Sequence, residues 1–281
     1  MSSLAVLHAS QVVTLSGPKR PRVATELSEI GIIRDGGMLI HDGQIERVGP
    51  SDEIEKNVGD GEIVDARGRV VMPGFVDAHT HLVFAGDRVD DFERRARGET
   101  YQQIAKAGGG IWSTVEKTRA ASEADLLARA NKHANWFLQC GTTTAEAKSG
   151  YGLTLEDELR ILRVMAQLNQ QLPLEIVPTF LGAHAVPREY STDEYVDFVI
   201  NEMMPRVASE KLAEFCDVFC ERGYFDIAQS REVLTAAKKL GLKLRGHVDQ
   251  LTNSGGAKLM AELNATTADH LEQRTSRGSL H

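Results

Sequence analysis

Apolar and polar positions follow two different rhythms along this chain. From Leu4 to Pro73 the runs Ala5 to Leu15, Gly37 to Val48 and Glu62 to Val71 read as strands, separated by turn signals such as Asp42-Gly43. This stretch is expected to be all-β. Beyond Pro73, apolar runs of about six residues alternate with longer segments whose apolar positions recur at helical spacing. The strands predicted there are Gly74 to Asp77, Thr142 to Ala147, Glu175 to Leu181, Phe215 to Phe219, Lys243 to His247 and Thr266 to His270. Between them the spacing predicts helices over Glu123 to Gln139, Leu155 to Asn169, Thr192 to Val207 and Ser230 to Leu240, with apolar faces suited to packing outside a sheet. Strands and helices in alternation signal a parallel sheet of βα units, so the fold class expected is α/β with a domain boundary near Met72. A closed (β/α)8 barrel would need two more units, and the residues that follow Met72 fall short of the roughly 250 typical of that fold.

Composition narrows the class. With 42% hydrophobic and 26% charged residues among 281, the chain has the balance of a globular enzyme or binding protein. Forty acidic against 32 basic side chains give a net charge of −8, which offers no basic field for a phosphate backbone, so nucleic acid is not an expected partner. No apolar run approaches the roughly 18 residues of a membrane helix, and the first residues lack the basic start of a secretory leader. Cys140, Cys216 and Cys220 cannot all pair and show no Cys-x-x-Cys spacing. A cytoplasmic protein without a membrane partner is expected. The run Gly108-Gly109-Gly110 lacks the Gly-Lys-Ser/Thr ending of a phosphate loop, and reads instead as a flexible loop at the barrel mouth.

The chemistry is concentrated in histidines. Pro73-Gly74-Phe75-Val76-Asp77-Ala78-His79-Thr80-His81 is an apolar strand that runs into two histidines one residue apart. The period of two puts both imidazoles on one side, and at the C-terminal end of a barrel strand they form a two-nitrogen metal clamp. His247 and His270 each end a further predicted strand. Any one of them could be an ordinary strand-end histidine bonded to its neighbours; the set points to a metal.

Several motifs extend this pattern: Ala85-Gly86-Asp87-Arg88, Ala107-Gly108-Gly109-Gly110-Ile111, Lys148-Ser149-Gly150-Tyr151-Gly152, Leu181-Gly182-Ala183-His184 and Gly246-His247-Val248-Asp249-Gln250. With Pro73 to His81 they resemble the imidazolonepropionase family of the amidohydrolase superfamily, over Leu4 to about Gln273. The resemblance implies an incomplete (β/α)8 TIM-like barrel at residues 73–273, after the N-terminal part of a small β-sandwich domain at 1–72. It implies one Zn²⁺ or iron ion on His79, His81 and His247, with an aspartate from an eighth strand as a further ligand. Three neutral imidazoles and an open position suit zinc, which lowers the pKa of bound water toward about 7. The predicted fourth strand has no lysine for the carbamate of binuclear relatives, and Glu221 reads as a loop carboxylate rather than a bridging ligand.

The implied reaction is hydrolysis of the cyclic amide of 4-imidazolone-5-propanoate to N-formimidoyl-L-glutamate, in histidine degradation. Arg88 is expected to hold the propanoate through paired hydrogen bonds, and Tyr151, His184 and Gln250 to contact the ring. The competing readings are a surface arginine, a packing tyrosine and a histidine bonded to nearby backbone. In the expected mechanism His184 helps to stabilise the oxyanion, and His270 orients or deprotonates the water. Loss of one oxyanion donor costs roughly 3 kcal/mol, so His184→Ala is expected to lower turnover by about two orders of magnitude. His8, His41, His133, Cys216 and Cys220 are read as structural, and no Gly-x-Ser-x-Gly elbow is present.

The segment 274–281 departs from the family, and a chain ending there is expected to lack strands seven and eight and to have little or no activity. The alternatives are a non-catalytic fragment, or another amidohydrolase acting on a cyclic amide or amidine, guanine deaminase-like or hydantoinase-like. The one protein partner considered is a second copy of the chain, in a homodimer.

Overall fold

The computed structural model describes residues 3–100, 103–104 and 107–274. Of the segment 274–281 only Arg274 therefore falls within it. The chain divides into two compact units, Met1–Gly74 and Phe75–His281.

The first unit is one five-stranded sheet in the order β3-β2-β1-β4, with β5 also beside β1. Its central strand β1 (Ser3–Val13) runs antiparallel to β2 (Ile32–His41) and parallel to β4 (Glu62–Asp65) and β5 (Val70–Val71). β2 pairs antiparallel with β3 (Gln44–Pro50). The hairpin turns at Asp42 and Gly43, whose φ values of 46° and 77° suit the tight turn that this pair favours. Ala5, Leu7 and Ala9 alternate into the interior as period-two geometry demands.

The second unit is a parallel sheet in the order β6-β7-β8-β9-β11-β12, with β10 beside β9. Its strands are β6 (Phe75–Thr80), β7 (Thr142–Lys148), β8 (Glu175–Ala183), β9 (Phe215–Cys220), β10 (Lys243–Leu244), β11 (His247–Val248) and β12 (Asp269–His270). Neighbours in the sheet are neighbours in sequence because each crossover carries a helix back to start the next strand. Ser122, Thr154, Ser191 and Asp226 start four of those helices by accepting the backbone N–H three residues on. The expected Thr192–Val207 helix is interrupted by a π turn at Val199–Met203, next to Pro205, which has no N–H to continue the ladder. The expected strand Lys243–His247 is split between β10 and β11, although Arg245 N still donates to Cys216 O (3.0 Å) and keeps this stretch beside β9.

The sheet curls into a nearly closed barrel. Arg245 Nη2 reaches the Ala78 carbonyl at 2.5 Å, so the first strand faces the last two across the interior. A continuous apolar core, including Leu159, Leu162, Phe180, Val218 and Leu234, packs between sheet and helices. Inside the curl lies charge: Glu146, Lys148, Asp217 and Arg245 are all buried.

Candidate metal and substrate site

The C-terminal ends of the barrel strands carry the histidines. His79 lies in β6 and His81 just beyond it, His184 follows β8, His247 begins β11 and His270 ends β12. Ring centroids of His79 and His247 are 4.5 Å apart, those of His81 and His247 5.9 Å, and those of His79 and His81 6.1 Å. Ligand atoms lie within 4.8 Å of one another in two sets, His79 with His247 and His270, and His81 with His184 and His247. The ligand trio expected from the sequence thus spans both sets, with His247 common to them.

A buried and a partly buried carboxylate orient the rings. His247 Nδ1 donates to Asp217 Oδ1 at 2.9 Å, and His79 Nδ1 donates to Asp269 Oδ2 at 2.8 Å. Beneath them Lys148 Nζ lies 2.9 Å from Glu146 Oε1, 2.7 Å from Asp217 Oδ2 and 3.4 Å from Asp269 Oδ2. Burial alone would push the two aspartates up. The hydrogen bonds and charges of His247 and Lys148 hold Asp217 well below the usual carboxylate range. His79, Lys148 and Arg245 do the same for Asp269.

Whether these residues fit a metal can be tested on the nitrogens that face away from the carboxylates. Burial and then the neighbouring His184 push the His81 imidazole well below its ordinary pKa, so at neutral pH it is uncharged and has a lone pair to offer. Its Nδ1 is buried with no hydrogen-bond partner. Buried, neutral and unpartnered imidazole nitrogen is costly unless something binds it, and zinc and iron take such donors readily. The residues fit a cation.

Each substrate-facing residue expected from the sequence lines the same cavity of about 400 Å³, with the histidines: Arg88, Tyr151, His184 and Gln250 all border it. Arg88 Nε donates to Thr114 Oγ1 at 2.9 Å, and its guanidinium carbon sits 5.8 Å from the Tyr151 ring centre. Tyr151 rides on a loop that one buried carboxylate ties down: Glu158 accepts from the backbone N–H groups of Gly150, Gly152 and Leu153. Gly150 has a φ of 98°, and a Cβ there would lie 2.8 Å from His184 Nδ1, so the position excludes other residues. Gln250 is placed likewise, because Glu221 accepts from the N–H groups of Gln250, Leu251 and Thr252. Glu221 is therefore committed to backbone. Asp249 caps the following helix through the N–H groups of Ser254, Gly255, Gly256 and Ala257.

His184 corrects one expectation. Its Nδ1 lies 2.9 Å from the Gly150 carbonyl, which can only accept, so Nδ1 carries the hydrogen. Burial, then His247, push its pKa down to about 3. A neutral ring with Nδ1–H committed presents only a lone pair at Nε2, and cannot donate to an oxyanion. The role open to it is that of acceptor.

Comparison with known proteins gives the family. An imidazolonepropionase from Solibacter usitatus is 54% identical over 99% of this chain and 67% of its own length. The chain belongs to the imidazolonepropionase family. A second imidazolonepropionase, from Brevibacillus brevis, is 48% identical over 97% of the chain and 66% of its own length, so the chain spans about two thirds of the curated relatives it matches. A model described as "Amidohydrolase family" matches residues 62–119. Among solved structures, the ochratoxinase of A. niger superposes with a TM-score of 0.64 at 16% identity, over 98% of this chain and 62% of that one. The 5-methylcytosine deaminase of Klebsiella pneumoniae does so at 0.61 and 16%, over 92% and 55%. At such identities these neighbours establish the fold alone. No helix among the described residues is long and apolar enough to cross a membrane.

Within this imidazolonepropionase-family barrel, the residues that sequence reasoning missed are the acids and the lysine behind the histidines. A signal was present: Asp217 interrupts the apolar run Phe215-Cys216-Asp217-Val218-Phe219-Cys220, and Glu146 and Lys148 share one face of a buried strand. A charge inside such a strand needs a partner.

Proposed function

We propose that this protein opens the ring of 4-imidazolone-5-propanoate with water to give N-formimidoyl-L-glutamate, a step in histidine degradation that takes place in the cytoplasm. One observation carries the reading: two overlapping sets of imidazoles that share His247, and groups suited to a planar amide with an anionic tail, border the same cavity. His79, His81 and His247 would hold one Zn²⁺ or iron ion, which supplies a Lewis acid that polarises a carbonyl and lowers the pKa of water. Arg88, fixed through its Nε on Thr114 and reaching the Tyr151 hydroxyl with Nη2 at 3.5 Å, offers its remaining N–H groups to the propanoate carboxylate. Tyr151 and the Gln250 amide bind the ring edge, and His184 Nε2 accepts a ring N–H.

His270 is the residue proposed to move a proton. Burial, then His247, push its pKa below the ordinary histidine value, so the ring is neutral and can take a proton from the attacking water. That proton passes to the departing ring nitrogen as the carbon–nitrogen bond breaks, and the carboxylic acid so formed releases the second proton of the water to solvent to become a carboxylate. The test is a ring-opening assay on the zinc- or iron-loaded chain, with product identified by mass spectrometry. Formation of N-formimidoyl-L-glutamate, abolished by chelation and restored by metal, is expected. A metal-loaded chain that leaves this substrate intact, or that opens a hydantoin or deaminates guanine in preference, would overturn the reading.

A further inference from the structure

We propose that one buried ammonium, Lys148, anchors Asp217 and Asp269 as hydrogen-bond acceptors and thereby holds His247 and His79 with Nδ1–H against the carboxylates and Nε2 toward the cavity. This deepens the proposed metal site, and rests on that reading only for what the Nε2 atoms hold. Lys148, Asp217 and Asp269 are positioning residues, acting through the two imidazoles.

The argument is one of matched valences. An ammonium has three N–H donors, and Lys148 Nζ has three carboxylates in reach, Glu146 at 2.9 Å, Asp217 at 2.7 Å and Asp269 at 3.4 Å. Neither the Lys148 nor the Asp217 side chain is exposed at all, so water does not share the work. Asp217 gives Oδ2 to the lysine and Oδ1 to His247, taking both the ring Nδ1 (2.9 Å) and the backbone N (3.1 Å). Asp269 uses Oδ2 for both Lys148 and His79 Nδ1 (2.8 Å). An ionised carboxylate only accepts, so the nitrogen facing it must carry the hydrogen, and a neutral imidazole then has its other nitrogen bare.

The lysine is what holds the acids in place. Without it, Glu146, Asp217 and Asp269 would share a poorly hydrated interior with Arg245 alone, whose nearest carboxylate atoms lie 3.5 and 3.7 Å away. Like charges crowded together repel, and a carboxylate that turns away from its ring releases the imidazole it orients. With both cations the group carries three negative charges against two positive. The residual negative charge sits directly behind the imidazoles and favours a cation in front of them.

The test begins with metal-free 281-residue chain labelled with ¹⁵N-histidine, in which long-range ¹H–¹⁵N correlation reports each tautomer. His79 and His247 are expected as Nδ1–H forms before any metal is added. Asp269→Asn and Asp217→Asn remove the charged acceptor at nearly constant volume. Each is expected to shift the tautomer of its own histidine and to weaken Zn²⁺ or Co²⁺ binding by about 10–100-fold. Should Asp217→Asn not fold, the less buried Asp269→Asn decides. Nε2–H forms at both histidines of the wild type, or an Asp269→Asn chain with unchanged tautomers and unchanged metal affinity, would overturn the inference. If wild-type chain took up no zinc, the metal reading alone would fail, and the tautomer spectra would still decide this one.

Discussion

The two units of this chain treat charge in opposite ways. In the first, ion pairs such as Arg20–Glu26 and Arg67–Asp65 lie in solvent, and Ser51 is the one polar residue among its buried positions within the described residues. In the second, Lys148, Glu146, Asp217 and Arg245 occupy the barrel interior. Burying charge costs several kcal/mol per ion, so an apolar interior would hold the barrel together at least as well. The difference is explained by the site: the first unit needs only to fold, whereas the barrel must also aim imidazoles. Its interior charges stand behind His79 and His247, where they set hydrogen-bond direction as well as stability.

The sharpest way to break this comparison is Lys148→Met. Leaving the acids without their ammonium is expected to destabilise the barrel by about 3–5 kcal/mol. Denaturant unfolding with residue-level hydrogen exchange would locate the loss in the second unit. A loss of under 1 kcal/mol would show the charges to be nearly indifferent to Lys148, and the contrast between the units would lose its meaning.

Glu158 provides the next largest effect. Its carboxylate serves three backbone N–H groups of the Tyr151 loop, so Glu158→Gln, which places an amide donor against them, is expected to cost about 1–3 kcal/mol and to weaken substrate binding. The pH dependence carries a sign as well. Burial raises this carboxyl above its ordinary value of 4.5, against the hydrogen bonds of Ser149 and the loop, which lower it. The folded state then binds a proton that the unfolded state has released, so this contribution is complete below pH 4.5 and fades as pH rises through the folded pKa. The glutamine variant should lack that slope, and a pH series of unfolding free energies would reveal it.

His184→Ala separates two roles within the site. An acceptor to the ring N–H contributes about 0.5–1.5 kcal/mol, so KM should rise by up to about tenfold with kcat largely kept. The oxyanion role expected from the sequence predicts the reverse, a fall in kcat by about two orders of magnitude. Steady-state kinetics on the metal-loaded chain decides between them.

What was legible in the sequence follows the same division. Strand and helix positions of the barrel stood out because apolar runs and helical spacing report the outer, apolar packing directly: Glu123–Gln139 has the bounds expected, and His79, His81 and His270 lie at or just past the ends of strands as the pattern implied, whereas His247 begins the short β11. The interior did not stand out. Lys148, Asp217 and Asp269 are separated by long stretches of sequence, and each becomes meaningful only when the sheet curls and brings one ammonium within 3.4 Å of all three acids. The tautomer of His184 was hidden for a similar reason, since it depends on the carbonyl of Gly150, which the loop positions in space.

The smallest effect belongs to the first unit, and it is the control for all the others. Arg20 makes a two-point contact with Glu26, both bonds at 2.8 Å, which drawn on paper looks as strong as anything around Lys148. The Arg20 side chain is 53% exposed and that of Glu26 32%, however, and water solvates both ions nearly as well when the pair is broken. Arg20→Gln should therefore leave the melting temperature within the scatter of the measurement, at low salt and high salt alike. A clear loss that vanished with added salt would mean that hydrogen-bond geometry, rather than exclusion of water, governs what an ion pair contributes in this chain, and the contrast drawn between its two units would have to be rebuilt on that basis.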